Sequence, residues 1–339
     1  MAKVGVAGAS GYLGAELLRL CAAHPSLEVA WASGETQAGT AVAQLYPNLA
    51  AAYPELRFSS LDPGDLSFAD DLEAVFLALP HGLPHRLMPD LLKRSRRVID
   101  LSADFRLRDP GLYQQWYRFE HAAPELLADF ACGLPELGRP ALVGAERVAV
   151  PGCYVTAAVL ALAPLVRAGL VEGQGIVVDA ASGVSGSGRQ AQESTQFAHV
   201  DEDFSAYGLF THRHTPEIEQ ALGAEVLFTP HLAPMNRGIL ATCYARPTAA
   251  RPEPLAVLSE AYRDEPFVVV SDRLPSTKAT LGSNVAHLSA RHDPRTGWVV
   301  ALCALDNLGK GGSGQAIQCA NLALGLDETS GLSAVGVYP

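Results

Sequence analysis

The sequence predicts an α/β protein in two domains. A doubly wound, parallel-sheet domain comes first, and an α+β domain with a large mixed or antiparallel sheet follows. Three observations predict this. The chain has 339 residues, more than the roughly 250 to 300 at which single cores stop growing. Its first part alternates short, continuously apolar strands with helical patterns, as parallel strands buried on both faces do. Beyond a long apolar helix pattern the strands lengthen and their connections become more varied.

The elements follow in order. Residues 4–7 form a short apolar strand, 14–23 have helical periodicity, and 28–32 form a second strand. Residues 74–79 and 97–101 are further apolar strands ending in polar or turn residues. Residues 104–140 carry more aromatics, prolines and charges and read as irregular. A strand at 148–150 leads into Pro151, Gly152 and Cys153, then a helix pattern over 156–168. Strands are predicted at 175–181, 225–229, 238–245, 267–270, 284–290 and 298–305, and a last helix at 314–326. The domains are therefore set at 1–150 and 151–310, with the C-terminal helix in 311–339 completing the first.

Composition narrows the function. Apolar residues make up 48% and charged residues 18%, which excludes global disorder. With 36 acidic and 25 basic side chains the net charge is −11, the opposite of a nucleic-acid footprint. No apolar run approaches the roughly 18–20 residues of a membrane helix. Residues 3–7 enter a strand pattern at once, so no secretory signal is expected. The six cysteines form no C-x-x-C pair, and reduced thiols in a cytoplasmic protein are expected.

Gly8, Gly11 and Gly14 follow a strand and open a helix in a G-x-x-G-x-x-G pattern. Glycines there let backbone N–H groups approach a pyrophosphate, whose charge the helix N-terminus favours. Gly8, Ser10, Gly11, Tyr12, Leu13 and Gly14 are the candidate contacts of a Rossmann-type dinucleotide site. The alternative is a tight strand-to-helix turn without a ligand. At the end of the second strand, Ser33 and Thr36 could donate to a ribose 2′-phosphate, Glu35 would repel one unless it points away, and no arginine is adjacent. The residues favour neither NAD nor NADP.

Cys153 lies where a helix begins, and the positive end of the helix dipole raises the thiolate fraction of a thiol there. A poised thiol beside a dinucleotide loop points to a thioester reduced by hydride from a nicotinamide. His212 and His214 are candidate proton carriers, facing one side if their segment is extended. They also admit a metal pair or plain surface polarity, and no third metal ligand is apparent. A cysteine hydrolase would have no use for the dinucleotide loop. A nucleotide sensor without chemistry would leave the Cys, His and Arg set unexplained.

These motifs together resemble the N-acetyl-γ-glutamyl-phosphate reductase family and, more distantly, aspartate-semialdehyde dehydrogenase. The resemblance runs through residues 8–14, 79–82, 100–106, 151–156, 182–189, 212–214, 230–238 and 306–311. It implies NADP-dependent reduction of an acyl phosphate in arginine biosynthesis, with Cys153 as nucleophile and His212 or His214 as acid–base. It implies that Arg106 binds phosphate, and that Ser102, Tyr154, Arg189 and Arg237 serve the substrate, Arg237 at its carboxylate. Pro80, His81, Ser182, Gly183, Ser185, Gly186, Asn307 and Lys310 would line the cofactor. It further implies a site in the interdomain cleft and a homodimer or homotetramer. A lysine-pathway reductase of a carrier-linked aminoadipyl phosphate typically carries Gly-Cys-Asn at the nucleophile, where this chain has Gly152, Cys153 and Tyr154.

Overall fold

The computed structural model describes residues 1–339. The first elements are β1 (Ala2–Ala7), α1 (Tyr12–Ala22), β2 (Leu27–Ala32), α2 (Val42–Leu45), β3 (Ala74–Leu77), α3 (Pro84–Leu91) and β4 (Val98–Asp100). Then come α4 (Gly111–Tyr117), β5 (Ala131–Cys132), α5 (Pro135–Leu142), β6 (Arg147–Ala149), α6 (Cys153–Arg167) and β7 (Ile176–Gly183). They continue with α7 (Phe197–Val200), β8 (Ser205–Ala206), α8 (Thr215–Leu222), β9 (Val226–Ala233), β10 (Ile239–Ala245) and α9 (Pro254–Ala261). The last are β11 (Val268–Val270), α10 (Thr277–Thr280), β12 (Ala286–Asp293), β13 (Trp298–Leu305) and α11 (Gly314–Leu324), the last preceded by a π turn at Gly309–Ser313. Met1–Pro151 with Gly312–Leu332 form one compact unit, and Gly152–Gly311 with Ser333–Pro339 form a second.

In the first unit six strands run parallel in the order β2-β1-β3-β4-β6-β5. Successive side chains of a strand point to opposite faces. In β3, Ala74 and Phe76 join a core with Leu17 and Leu18 of α1 and Ile317 of α11. Val75 and Leu77 join the opposite core with Leu87, Met88 and Leu91 of α3. Both faces are covered, so the strands read as unbroken apolar runs. Strand order reverses between β1 and β3, the switch point where such sheets bind ligands.

In the second unit seven strands form a mixed sheet, β11-β12-β13-β10-β7-β9-β8. β10 runs antiparallel to β7 and β13, while β7 runs parallel to β9. α6 packs on β10, β12 and β13 and also against α8 and α9. All of its side chains from Tyr154 to Leu165 are buried, as expected of a helix apolar all round.

Four expectations are revised. The stretch read as irregular contains α4, β5 and α5. α6 begins at Cys153, earlier than its apolar pattern, because glycine at the N-cap provides no side-chain cap to mark the start. The segment holding His212 and His214 is not extended, since it turns directly into α8. Residues 333–339 belong to the second unit: the Asn284 N–H donates to the Ser333 carbonyl at 2.8 Å, and the Val337 N–H to Leu281 at 2.7 Å.

Candidate active site

The nucleotide loop is built where β1 meets β3. Gly8 has φ +81°, and a Cβ there would run into the Ala78 carbonyl. Only glycine combines that backbone with so close an approach. The Gly8 N–H donates to Ser33 Oγ at 3.0 Å, which ties the loop to the end of β2. Ser33 is 1% exposed, so it braces the loop. Tyr12 and Leu13 open α1, whose N-cap Gly11 has no side-chain cap. The first-turn N–H groups are thus left to a ligand or solvent. Thr36 is exposed, and Glu35 Oε1 accepts the Leu61 N–H at 2.9 Å, so the carboxylate is engaged elsewhere. These residues fit a dinucleotide phosphate.

A buried carboxylate laces the loops after β3 and β4. Asp104 accepts the N–H groups of Gly82 at 2.9 Å and His85 at 3.1 Å, capping α3. His81 Nδ1 accepts the Ala103 N–H at 3.0 Å, while Pro80 and His81 remain exposed. Ser102, 1% exposed, donates through Oγ to Asp100 at 2.7 Å and accepts the Asp104 N–H at 3.1 Å. Ser102 therefore shapes this loop. Partly exposed Arg106 donates through Nη2 to the Leu101 carbonyl at 2.7 Å. Burial, then the neighbouring Asp104 charge, raises Asp100 to about 7 against the Ser102 hydrogen bonds and Arg106.

In the second unit Cys153 is the first residue of α6. A Cβ on Gly152 would overlap the His214 imidazole, so that ring lies on the backbone beside Cys153. Glu217, 4% exposed and three residues beyond His214, accepts the Gly152 N–H at 3.1 Å. A Cβ on Gly311 would come 2.9 Å from that of Cys153, which brings the π turn to the thiol as well. Cys153 is partly accessible, whereas Cys21, Cys243, Cys303 and Cys319 are buried and Cys132 is exposed. Burial pushes the Cys21 thiol up to about 12.

The two histidines separate clearly. His212 Nδ1 accepts the His214 N–H at 3.1 Å. Its ring meets those of Tyr154, Tyr207 and Phe228 edge-on. Burial, then the Arg213 charge, lowers His212 to about 4, which keeps it neutral near pH 7 and poorly suited to trade protons there. Tyr154 is 2% exposed; its hydroxyl donates to the His231 carbonyl at 3.0 Å and accepts from Tyr207 at 3.1 Å. The Tyr154 ring packs edge-on against both histidines.

The loop after β7 completes the surroundings. Ser182 is buried, and Asn307 Nδ2 donates to Ser185 Oγ at 3.0 Å beside Gly186. The Gly183 N–H donates to the Gly238 carbonyl at 2.9 Å, and the Gly238 N–H to Asn307 Oδ1 at 2.8 Å. Arg189 lies partly exposed beyond this loop. Lys310 is fully buried near the Phe267 ring. Two residues outside the predicted site matter here, Glu217, the carboxylate that the histidine segment carries, and Asp306. A Pro at the start of α8 could have marked Glu217 as a first-turn residue, whereas nothing local marks Asp306.

Known proteins can now be compared with this geometry. N-acetyl-gamma-glutamyl-phosphate reductase of Desulforudis audaxviator is 48% identical, covering 100% of both chains. The same-named protein of Ectopseudomonas mendocina is 47% identical over 100% of both. The chain belongs to the N-acetyl-γ-glutamyl-phosphate reductase family. Residues 3–145 match the NAD binding domain of semialdehyde dehydrogenase and residues 153–307 its dimerisation domain. Members of this N-acetyl-γ-glutamyl-phosphate reductase family thus share the semialdehyde dehydrogenase fold. Aspartate semialdehyde dehydrogenase II of Vibrio cholerae superposes with a TM-score of 0.72 at 14% identity, over 96% of this chain and 98% of that one. The Candida albicans enzyme with NADP gives 0.67 at 13%, over 95% and 98%. This chain is an oxidoreductase that uses a nicotinamide cofactor and a small-molecule substrate. No helix is long and apolar enough to cross a membrane. No group of three His, Cys, Asp or Glu side chains could hold a metal.

Proposed function

We propose that the chain reduces N-acetyl-L-glutamyl 5-phosphate to N-acetyl-L-glutamate 5-semialdehyde and phosphate with NADPH. This is the third step of arginine biosynthesis, carried out in the cytoplasm by a homodimer or homotetramer. The observation that carries the reading is the His214 imidazole packed on the Gly152 backbone beside the Cys153 thiol. The relatives' names supply the substrate. The engagement of Glu35 with the Leu61 N–H supports NADPH, since it turns away the carboxylate that would repel a 2′-phosphate.

Cys153 attacks the acyl carbon, the C–O bond to phosphate breaks, and a thioester remains. Arg106 is assigned the phosphate, because its forked donors suit that group. When bound, the reduced nicotinamide supplies a hydride. His214 takes the thiol proton as sulfur attacks. It then lends and retrieves a proton at the carbonyl-derived oxygen as the tetrahedral adduct forms and collapses, releasing the aldehyde and the thiolate. Glu217 holds the Gly152 N–H, and neutral His212 orients the His214 backbone. Arg237 is assigned the substrate carboxylate, and Asn307 and Lys310 the nicotinamide side.

The test is phosphate-dependent reduction of NADP⁺ by N-acetyl-glutamate semialdehyde. The expected result is turnover with that aldehyde, faster than with aspartate semialdehyde or a carrier-linked aminoadipate semialdehyde. Preference for either competitor would reassign the substrate.

A further inference from the structure

Asp306 follows β13 and is completely buried. Its carboxylate accepts the N–H groups of Leu308 at 2.9 Å, Gly309 at 3.1 Å and Gly282 at 2.6 Å. The Arg237 Nε lies 3.1 Å from both of its oxygens. One anion thus draws together the turn carrying Asn307, the loop before β12 and the turn between β9 and β10. The arginine is held at its Nε. A guanidinium is planar, so a bond at Nε fixes both the plane of the fork and the direction of its ends. The backbone beside it is pinned too, by the Gly238 N–H donating to Asn307 Oδ1 at 2.8 Å. The Arg237 side chain is 23% exposed and its partner 0%. The anion therefore stays out of water while its cation reaches solvent.

We propose that Asp306 is a positioning residue that aims the Arg237 guanidinium at the α-carboxylate of the acyl substrate, and so sets the preference for carboxylated aldehydes. This rests on the reaction proposed above and goes beyond it in assigning Asp306. A turn anchor alone would also be buried and hydrogen-bonded, but its loss would harm all substrates alike. An aiming role makes the loss selective.

The full-length protein and Asp306→Asn are compared in the phosphate-dependent oxidation of N-acetyl-glutamate semialdehyde and of 4-acetamidobutanal, the same aldehyde without its carboxylate. The wild type is expected to favour the carboxylated aldehyde by about a hundredfold or more in kcat/KM, as a site built for a charged group rejects an analogue lacking it. In D306N that ratio falls by about tenfold or more while activity on 4-acetamidobutanal stays within about threefold. Parallel losses on both aldehydes, or an unchanged ratio, would overturn the proposal. If D306N does not fold, Asp306→Glu, which keeps the anion but displaces the carboxylate from the Arg237 Nε, carries the same comparison. A wild type inactive on both aldehydes would refute the reaction itself and this inference with it. A wild type active on the semialdehyde beside a variant with an unchanged ratio would refute this inference alone.

Discussion

His212 and His214 are two residues apart and chemically identical, yet they lie in different surroundings. His214 lies on the Gly152 backbone, while His212 is walled in by aromatic rings and lowered to about 4, chiefly by burial. His214→Asn is expected to lower kcat by about a hundredfold or more and to abolish the limb of the pH–rate profile that belongs to the catalytic base. His212→Asn should preserve that limb and act mainly on rate; loss of the limb in this variant instead would reverse the assignment. Cys153→Ser should bind cofactor normally yet lose about a thousandfold or more of turnover, read by single-turnover kinetics. Stability should follow the same charges. The folded pKa of His212 is depressed below 6.5, so its contribution is present above pH 6.5 and lost as pH falls through about 4. Asp100 is raised to about 7, so its contribution is complete below its unfolded value near 3.8 and lost as pH rises through 7. Melting temperatures of His212→Phe and Asp100→Asn across pH 4–8 should each lose one of these opposing slopes.

Two strand-to-helix and loop-to-helix junctions carry the chemistry-bearing residues. After β1, Gly8 takes a backbone and a contact that no side chain allows. Gly8→Ala is expected to cost about 1–2 kcal/mol and to weaken nucleotide binding, measured by chemical denaturation and cofactor titration. At the start of α6, Gly152→Ala pushes against the His214 ring and should reduce turnover far more than stability. Unchanged kcat would place the imidazole elsewhere during the reaction. Strands β1, β3, β10 and β13 were readable because alternation and apolar runs are local signals. The helices α4 and α5 were not, because Pro110, Pro124, Pro135 and Pro140 break the periodic pattern into pieces too short to read. Their formation depends on packing, as the burial of Tyr113 of α4 in one core and Leu142 of α5 in the other shows.

The chain as a whole holds a doubly wound unit and a mixed-sheet unit, each with its own core, and carries a net charge of −11. Light scattering after size exclusion is expected to give a dimer or tetramer, and a monomer at assay concentration would remove that part of the reading. Glycine spacing, apolar runs and the cysteine at a helix start are properties of neighbouring residues. The two-part α/β architecture, the glycine turn after β1 and the place of Cys153 at a helix start were therefore open to inspection in the chain alone. Which histidine packs on Gly152, which way Glu35 turns, and why Arg237 has a fixed direction were not. Each depends on a hydrogen bond or contact between segments distant in sequence, His214 to Gly152, Glu35 to Leu61 and Arg237 to Asp306. Such partners are selected by long-range packing, which leaves no trace in local periodicity.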